Sequence, residues 1–232
     1  MRTTCGLRLR ALVAVTTLAM LLCGCTVEVT GRPLRDPTPV PLALSDDGFG
    51  IVAGFEDAPA RIEIFTEPQC PHCARLQSEF GDELGYYIGL GALQVTYRPL
   101  TFLDRYNPAG HSARVSNALF QAAEGDGTGT EFQKFVQLLW ANQEPDGPGP
   151  SNAEMAELAR EAGLPRDVAE RIGDGDSAVD IDEMDAYNSD YLIEVTSRSP
   201  ATPTVYDSVD DTILDVSDDD WLRRLLRSWR RY

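Results

Sequence analysis

Two cysteines with only two residues between them are the part of this sequence best suited to chemistry. Cys70 and Cys73 stand in the run Cys-Pro-His-Cys, and thiols at this spacing can join in a small disulfide. A cysteine pair that alternates between dithiol and disulfide exchanges two electrons with other thiols, through attack of a thiolate on a sulfur. We therefore expect a redox centre at residues 70–73, with Pro71 and His72 as parts of it.

The flanking residues predict a strand that runs directly into a helix at the cysteine pair. Ile62, Ile64 and Phe65 indicate a buried strand. Apolar residues then recur every four positions, as on the inner face of a helix: Leu76, Phe80 and Leu84. Cys70 consequently falls at a helix N-terminus, where unpaired backbone N–H groups and the positive end of the helix dipole favour a thiolate. We expect His72 to add an imidazole N–H or a positive charge near Cys70, although an exposed spacer would fit the same position.

The N-terminus has the pattern of a secretory signal. Arginines precede an apolar run over residues 11–22, which is too short to cross a bilayer comfortably. The run ends in Leu-Cys-Gly-Cys at positions 22–25, which resembles a bacterial lipobox. The resemblance implies a signal peptide over residues 1–24, cleavage before Cys25 and lipidation of the Cys25 thiol. An ordinary signal peptide with a leftover cysteine is the alternative.

The cysteine count supports a redox role for the pair. Cys5 and Cys23 would leave with the signal, and Cys25 would carry lipid. Only Cys70 and Cys73 then remain as thiols, and no third cysteine is left for a structural bridge. The pair is therefore either catalytic or a strained local staple, and in an exported chain we favour catalysis.

A proline-rich segment follows the lipobox. Prolines recur at positions 33, 37, 39 and 41, so we predict an extended tether over residues 25–47 and a globular part from residue 48. At about 3.1 Å per residue, some 19 residues reach at most roughly 60 Å from a membrane.

Charge and ligand count exclude two other classes of function. The net charge is −17, and it becomes −20 once the three arginines of the signal leave. Such an acidic surface repels nucleic acid, so we predict no nucleic-acid partner. A structural zinc site uses four ligands, whereas this sequence offers two thiols and two histidines after Cys25. We predict no metal and no cofactor.

The remaining pattern alternates between strand and helix signals. Strands are predicted at residues 61–65 and 93–97, a helical block from about 107 to 198, and two short strands at 204–206 and 212–214. A final helix is predicted from about 218 to 231, with its apolar side packed on the sheet rather than on a membrane.

This order resembles the thioredoxin fold with an inserted helical lobe, as in DsbA-like thiol:disulfide oxidoreductases, here in a bacterial lipoprotein form. Four groups of residues carry the resemblance: Asp57-Ala58-Pro59, Pro68-Gln69-Cys70-Pro71-His72-Cys73, Tyr97-Arg98-Pro99-Leu100 and Thr202-Pro203-Thr204-Val205. It implies an α/β fold, with a thioredoxin-like domain over residues 48–106 and 199–232 and a helical lobe inserted over 107–198. It also implies a cis bond before Pro203, beside the two cysteines.

The resemblance implies an exported enzyme that oxidises thiols of secreted proteins through Cys70 and Cys73. Thr202 and Pro203 would bind the substrate, with the Thr202 backbone pairing with an extended substrate segment. The implied partners are unfolded or thiol-containing secreted proteins, the membrane through the lipid on Cys25, and a quinone-linked membrane oxidoreductase that reoxidises the pair.

Several alternatives stay open at this point. The same fold and motif would serve a disulfide reductase or isomerase, and a tethered binding or holdase module without catalysis would use the groove of the helical lobe. Glu67 either relays protons to Cys73 or opposes the Cys70 thiolate by its charge. His111 fits a helix-surface or core position better than a catalytic one.

Overall fold

The computed structural model describes residues 38–106, 110–145 and 147–228. The predicted signal peptide over residues 1–24, the lipidation site at Cys25 and the end of the predicted final helix lie outside these residues.

A strand, a helix and a second strand form the centre of the fold and contain the cysteine pair. Strand β3 (Ala60–Thr66) leads into helix α1 (Pro71–Gly89), which returns the chain to strand β4 (Leu93–Pro99). The two strands are parallel, with Ile62 beside Val95. Both were predicted: Ile62, Ile64 and Phe65 indicate a buried strand at β3, and apolar residues alternate along β4.

Two short strands complete one side of the sheet. Strand β5 (Thr204–Asp207) runs antiparallel to β3, and strand β6 (Thr212–Leu214) runs antiparallel to β5. The predicted strands at 204–206 and 212–214 are thus confirmed. Because β5 follows the Thr202–Pro203 step directly, its pairing with β3 brings that step to the end of the sheet where α1 begins.

The other side of the sheet differs from the sequence prediction. Strand β1 (Leu42–Leu44) pairs with strand β2 (Ile51–Ala53), and β2 pairs with β4, so that the strand order is β1-β2-β4-β3-β5-β6. Residues 42–44 therefore belong to the folded sheet, so the prediction of an extended tether over residues 25–47 was wrong for them. The proline pattern did not exclude a strand here because β1 lies at the edge of the sheet, and an edge strand tolerates a neighbouring proline such as Pro41.

In the part of the chain that the structure describes, five helices lie between β4 and β5, in the predicted helical block. They are α2 (His111–Ala123), α3 (Gly129–Ala141), α4 (Asn152–Ala162), α5 (Arg166–Asp174) and α6 (Ile181–Thr196), and a 3-10 turn (Phe102–Arg105) precedes them. Ser151 and Glu154 form a capping box at the start of α4. A second capping box, formed by Thr128 and Glu131, begins α3.

Helices cover both faces of the sheet. The inner face of α1 joins Ile62 and Ile64 of β3 in the main core, whereas Phe65 points into a second cluster with Leu192 of α6. The final helix α7 (Trp221–Ser228) begins later than predicted, and its apolar side is buried: Trp221, Leu222, Leu225 and Leu226. The Trp221 ring meets Phe80 edge-on, at 5.4 Å between ring centroids, so the contact seen here is with helix α1, whereas the sequence predicted packing on the sheet.

Candidate active site

The two thiols occupy the N-terminus of α1. Cys70 is the residue that caps the helix, with extended backbone angles, and Pro71 takes the first helical position, where the absence of an N–H group leaves no hydrogen bond unmade. The backbone N–H of Cys73 donates to the carbonyl of Cys70 at 3.0 Å, which places the cysteines one turn apart on one side of the helix. Both thiols are free, and the Cys73 side chain is the more deeply buried, at 1% exposed against 7% for Cys70.

The surroundings of Cys70 favour its charged form. A hydrogen bond from the Cys73 thiol is the largest influence, and it lowers the pKa of Cys70 to about 5 against the opposing effect of burial. The Thr202 side chain and the backbone N–H groups of Cys73 and His72 add to the decrease. The thiolate predicted from the helix N-terminus is therefore supported by local donors.

The same surroundings disfavour charge on Cys73. Burial is the largest influence, and together with the neighbouring Cys70 it raises the pKa of Cys73 well above its ordinary value. The two cysteines thus differ in charge at neutral pH, with a thiolate at Cys70 and a thiol at Cys73.

The loop before β5 faces the thiols, as the resemblance implied. The Thr202–Pro203 bond is cis, and the Thr202 carbonyl oxygen lies 3.3 Å from the Cys70 sulfur. Thr202 and Pro203 are half-buried, and with α1 and the segment before α7 they line a groove of about 250 Å³. The side chains of His72 and Arg75 form part of the wall of this groove.

His72 acts on Cys70 by a different route from the predicted one. Its side chain is exposed, and its backbone N–H is the group that contributes to lowering the pKa of Cys70. Because any residue except proline supplies a backbone N–H, this contribution depends on the helix geometry rather than on the imidazole.

Glu67 lies beneath the thiols and is completely buried. Its backbone N–H contributes a hydrogen bond to Cys73, and its carboxylate accepts hydrogen bonds from the Gln69 backbone N–H at 2.7 Å and from the Ser112 hydroxyl. Burial raises the pKa of Glu67 to about 7 despite these two donors, and the charges of Asp104 and Cys70 raise it further. The site thus contains an acid that titrates near neutral pH.

Sequence reasoning missed two polar residues near Glu67. Ser112 lies 45 positions away at the start of α2, and Asp104 lies in the 3-10 turn. Neither belongs to a local motif, so only the fold brings them to the cysteine pair. The position of Ser112 directly after His111 offers no signal of its own.

His111 belongs to the interior of the protein. It is 1% exposed at the first position of α2, its ring packs against Gly149, and burial lowers its pKa. This agrees with the preference for a core position over a catalytic one.

The described residues contain neither a cluster of potential metal ligands nor a helix suited to crossing a membrane. Within residues 38–106, 110–145 and 147–228, no group of three or more histidine, cysteine, aspartate or glutamate side chains is arranged to hold a metal ion. No helix in these ranges has both the length and the apolar character that a membrane crossing requires.

Comparison with protein families gives a match over most of the chain. The family model described as Thioredoxin matches residues 46–226, which include the cysteine pair, the inserted helices and the Thr202–Pro203 step. A curated relative, the serine/threonine-protein kinase PknE of Mycobacterium tuberculosis, is 25% identical over 181 residues. The match covers 76% of this chain, but the chain spans only 31% of the length of that relative.

Solved structures share the fold. MdbA, a thiol-disulfide oxidoreductase from Corynebacterium diphtheriae, superposes with a TM-score of 0.66 and 22% identity, over 82% of this chain and 95% of its own. Reduced DsbA from Mycobacterium tuberculosis gives a TM-score of 0.61 and 21% identity, over 83% of this chain and 93% of its own. At these identities the likeness shows a common fold, including the inserted helices.

Proposed function

Because the chain belongs to the thioredoxin family, we propose that it is a thiol:disulfide oxidoreductase that works through the Cys70–Cys73 pair. The observation that carries the proposal is the difference between the two thiols: the pKa of Cys70 is lowered to about 5, whereas that of Cys73 is raised. Formation and resolution of a mixed disulfide require a thiolate at the less buried cysteine and a thiol one turn away, and this pair provides both.

The proposed reaction begins with Cys70 and Cys73 joined in a disulfide. A substrate thiolate attacks the Cys70 sulfur, a mixed disulfide forms, and Cys73 leaves as a thiolate that takes up a proton. A second substrate thiolate then attacks the substrate sulfur of the mixed disulfide, and Cys70 leaves as a stable thiolate. Two substrate thiols become one disulfide, and the enzyme pair gains the two electrons.

Glu67 supplies the proton that Cys73 needs in this scheme. It is buried beneath the thiols, and its pKa of about 7 allows it to give and regain a proton at neutral pH. Because the pKa of Cys73 is high, its sulfur leaves the disulfide readily only when it takes up a proton as the bond breaks.

We further propose that the enzyme acts as an oxidant. With a pKa of about 5, the Cys70 thiolate favours the reduced form roughly a hundredfold at pH 7, or about 60 mV. A stabilised reduced form makes the disulfide a better electron acceptor, which supports oxidation over reduction or isomerisation.

The groove beside the thiols supports binding of an extended polypeptide. Its wall includes the Thr202–Pro203 step, and the Thr202 carbonyl is near enough to the Cys70 sulfur to direct a bound segment at it. We therefore propose that Thr202 and Pro203 bind the substrate.

Export and anchoring remain part of the proposal on sequence grounds. The signal pattern over residues 1–24 and the lipobox-like Cys25 support an enzyme held by lipid on the outer face of the cytoplasmic membrane. Its partners would be thiol-containing secreted proteins and a quinone-linked membrane oxidoreductase that restores the disulfide.

Oxidative refolding of a reduced test protein examines the proposal. Replacing Cys70 with Ser should abolish catalysis, whereas Ser78→Ala, an exposed change on the same helix, should retain it. Persistent catalysis in the Cys70 variant would instead favour a binding or holdase module. Equilibration with glutathione then measures the redox potential of the Cys70–Cys73 pair and with it the direction of electron flow. A potential of about −120 mV fits an oxidant, and one of about −270 mV fits a reductase.

A further inference from the structure

A serine of the inserted lobe reaches the interior of the thiol site. Ser112, in the first turn of α2, is completely buried, and its hydroxyl donates a hydrogen bond to Oε1 of Glu67. The other carboxylate oxygen, Oε2, accepts from the Gln69 backbone N–H at 2.7 Å. Both oxygens of this buried acid are therefore held by donors, one of which comes from a different part of the fold.

A neighbouring amide leaves the hydroxyl hydrogen of Ser112 available for Glu67. The side-chain amide of Gln69 donates to the Ser112 oxygen at 2.9 Å and to Oδ1 of Asp104 at 2.9 Å. Both N–H bonds of that amide are thus used, and the Ser112 oxygen already accepts one of them. The single hydroxyl hydrogen of Ser112 is consequently free to point at Glu67.

Asp104 holds the start of α2 in position. Its carboxylate accepts from the backbone N–H groups of Ser112 and Ala113 at 2.9 and 2.8 Å. The residue that caps this helix, Gly110, has no side chain to do so, and an acid at a helix N-terminus is favourable. The 3-10 turn therefore fixes both the backbone and the hydroxyl of Ser112.

We propose that Ser112 is a positioning residue of the thiol site, whose hydroxyl holds the Glu67 carboxylate beside the cysteines and favours its ionised form. Gln69 and Asp104 orient that hydroxyl. The inserted lobe thereby sets the proton exchange of the thiol site, a consequence that rests on the proposed function. The hydrogen bond itself can be measured without turnover.

The charged groups around Glu67 do not replace this donor. Asp104 and the Cys70 thiolate both oppose a second negative charge at Glu67. Cys73 stays neutral because burial raises its pKa, and His111, next to Ser112, has its pKa lowered by burial. Loss of the Ser112 hydroxyl would therefore leave the carboxylate with one donor against two unfavourable charges.

The test follows the side-chain carboxyl signal of Glu67 by ¹³C NMR in the reduced protein, assigned through its loss in Glu67→Gln. Ser112→Ala should raise the pKa of Glu67 by about 1 pH unit or more, because one hydrogen bond to a carboxylate is lost. Ser112→Thr, which keeps the hydroxyl, should restore the wild-type titration.

Ser116→Ala is the matched control. Ser116 lies one turn further along α2, is also completely buried, and its hydroxyl has no hydrogen-bond partner in the part of the chain that the structure describes. Its removal should leave the Glu67 titration unchanged. An unchanged pKa in Ser112→Ala, or an equal shift in Ser116→Ala, would overturn the proposal.

Two further comparisons keep the outcome clear. If Ser112→Ala fails to fold, Ser112→Thr and Ser112→Val are compared, because they differ only by a hydroxyl against a methyl group; equal Glu67 titrations would then overturn the proposal. If the wild-type protein fails to catalyse refolding while Ser112→Ala still shifts Glu67, the proposed function fails and the positioning role stands.

Discussion

The carbonyl oxygen of Thr202 lies 3.3 Å from the sulfur of Cys70, although the two residues are 132 positions apart in the chain. The contact exists because β5 pairs with β3, the strand that leads into the cysteine helix. One segment therefore provides the sulfur of Cys70, and a distant segment provides the backbone beside it.

Replacing Cys73 with Ala should raise the pKa of Cys70. The hydrogen bond from the Cys73 thiol is the largest influence that favours the thiolate, so its loss should shift the pKa upward by about 1 to 2 pH units. The pH dependence of Cys70 alkylation by iodoacetamide measures the change. Ser78→Ala should keep the wild-type profile, and an unchanged profile in the Cys73 variant would contradict the assignment.

Replacing Thr202 with Val should also raise the pKa of Cys70, but by less than replacing Cys73 with Ala does. The pH dependence of Cys70 alkylation measures this change as well. The Thr202 side chain also favours the Cys70 thiolate, and it does so less than the Cys73 thiol. Thr204→Val is the control, since its hydroxyl donates to the Ala201 carbonyl at 2.8 Å instead. If Thr204→Val shifts the alkylation profile as far as Thr202→Val, the hydroxyl of Thr202 has no specific role.

Replacing Arg98 with Ala should strongly destabilise the fold. The Arg98 guanidinium lies 2.5 Å from the Glu63 carboxylate and 2.9 Å from that of Asp47, and it stacks on the Tyr191 ring. Removal of this buried cation leaves two carboxylates unpaired, so the free energy of unfolding should fall by about 3–5 kcal/mol.

Urea unfolding measures this loss, and Arg166→Ala is its control. The Arg166–Glu170 pair is exposed, so its removal should cost at most about 0.5 kcal/mol. Equal losses in the two variants would show that the buried network adds no more than a surface ion pair.

The contribution of Asp47 to the stability of the folded protein should depend on pH. Burial alone would raise the pKa of Asp47, but hydrogen bonds from Arg98, Ser45 and the Phe49 backbone outweigh it and lower the pKa. A lowered pKa in the folded state stabilises the protein above the unfolded-state value of 3.8 and loses this effect as pH falls further.

Asp47→Asn should therefore be less stable than the wild type at pH 7, with a difference that shrinks below about pH 4. Chemical unfolding at several pH values measures this, with the exposed Asp46→Asn as control. A difference that is constant down to pH 2 would show that Asp47 does not titrate with a lowered pKa.

The central part of the fold could be predicted because its signals are local. Strand β3 and helix α1 have apolar residues at the period of their own structure, and the Cys-Pro-His-Cys run marks the point where they join. Strands β1 and β2 escaped prediction: each has only three residues, and β1 directly follows the proline-rich segment that predicted a tether. Their identity as strands comes from pairing across the sheet.

The residues of the candidate site were likewise predictable only in part. The cysteines and the Thr202–Pro203 step carry motifs, whereas Ser112 and Asp104 are ordinary polar residues whose role depends on contacts between distant segments. Glu67 was noted for its nearness in sequence, but its pKa near 7 results from burial, which the sequence does not reveal.

The most direct test of the account is the titration of the Cys70 thiolate in the reduced protein, by its ultraviolet absorbance, with the oxidised protein as blank. The account predicts one thiolate that forms with a midpoint near pH 5, while Cys73 remains a thiol beyond pH 9. A first midpoint near pH 9, the ordinary value for cysteine, would contradict it.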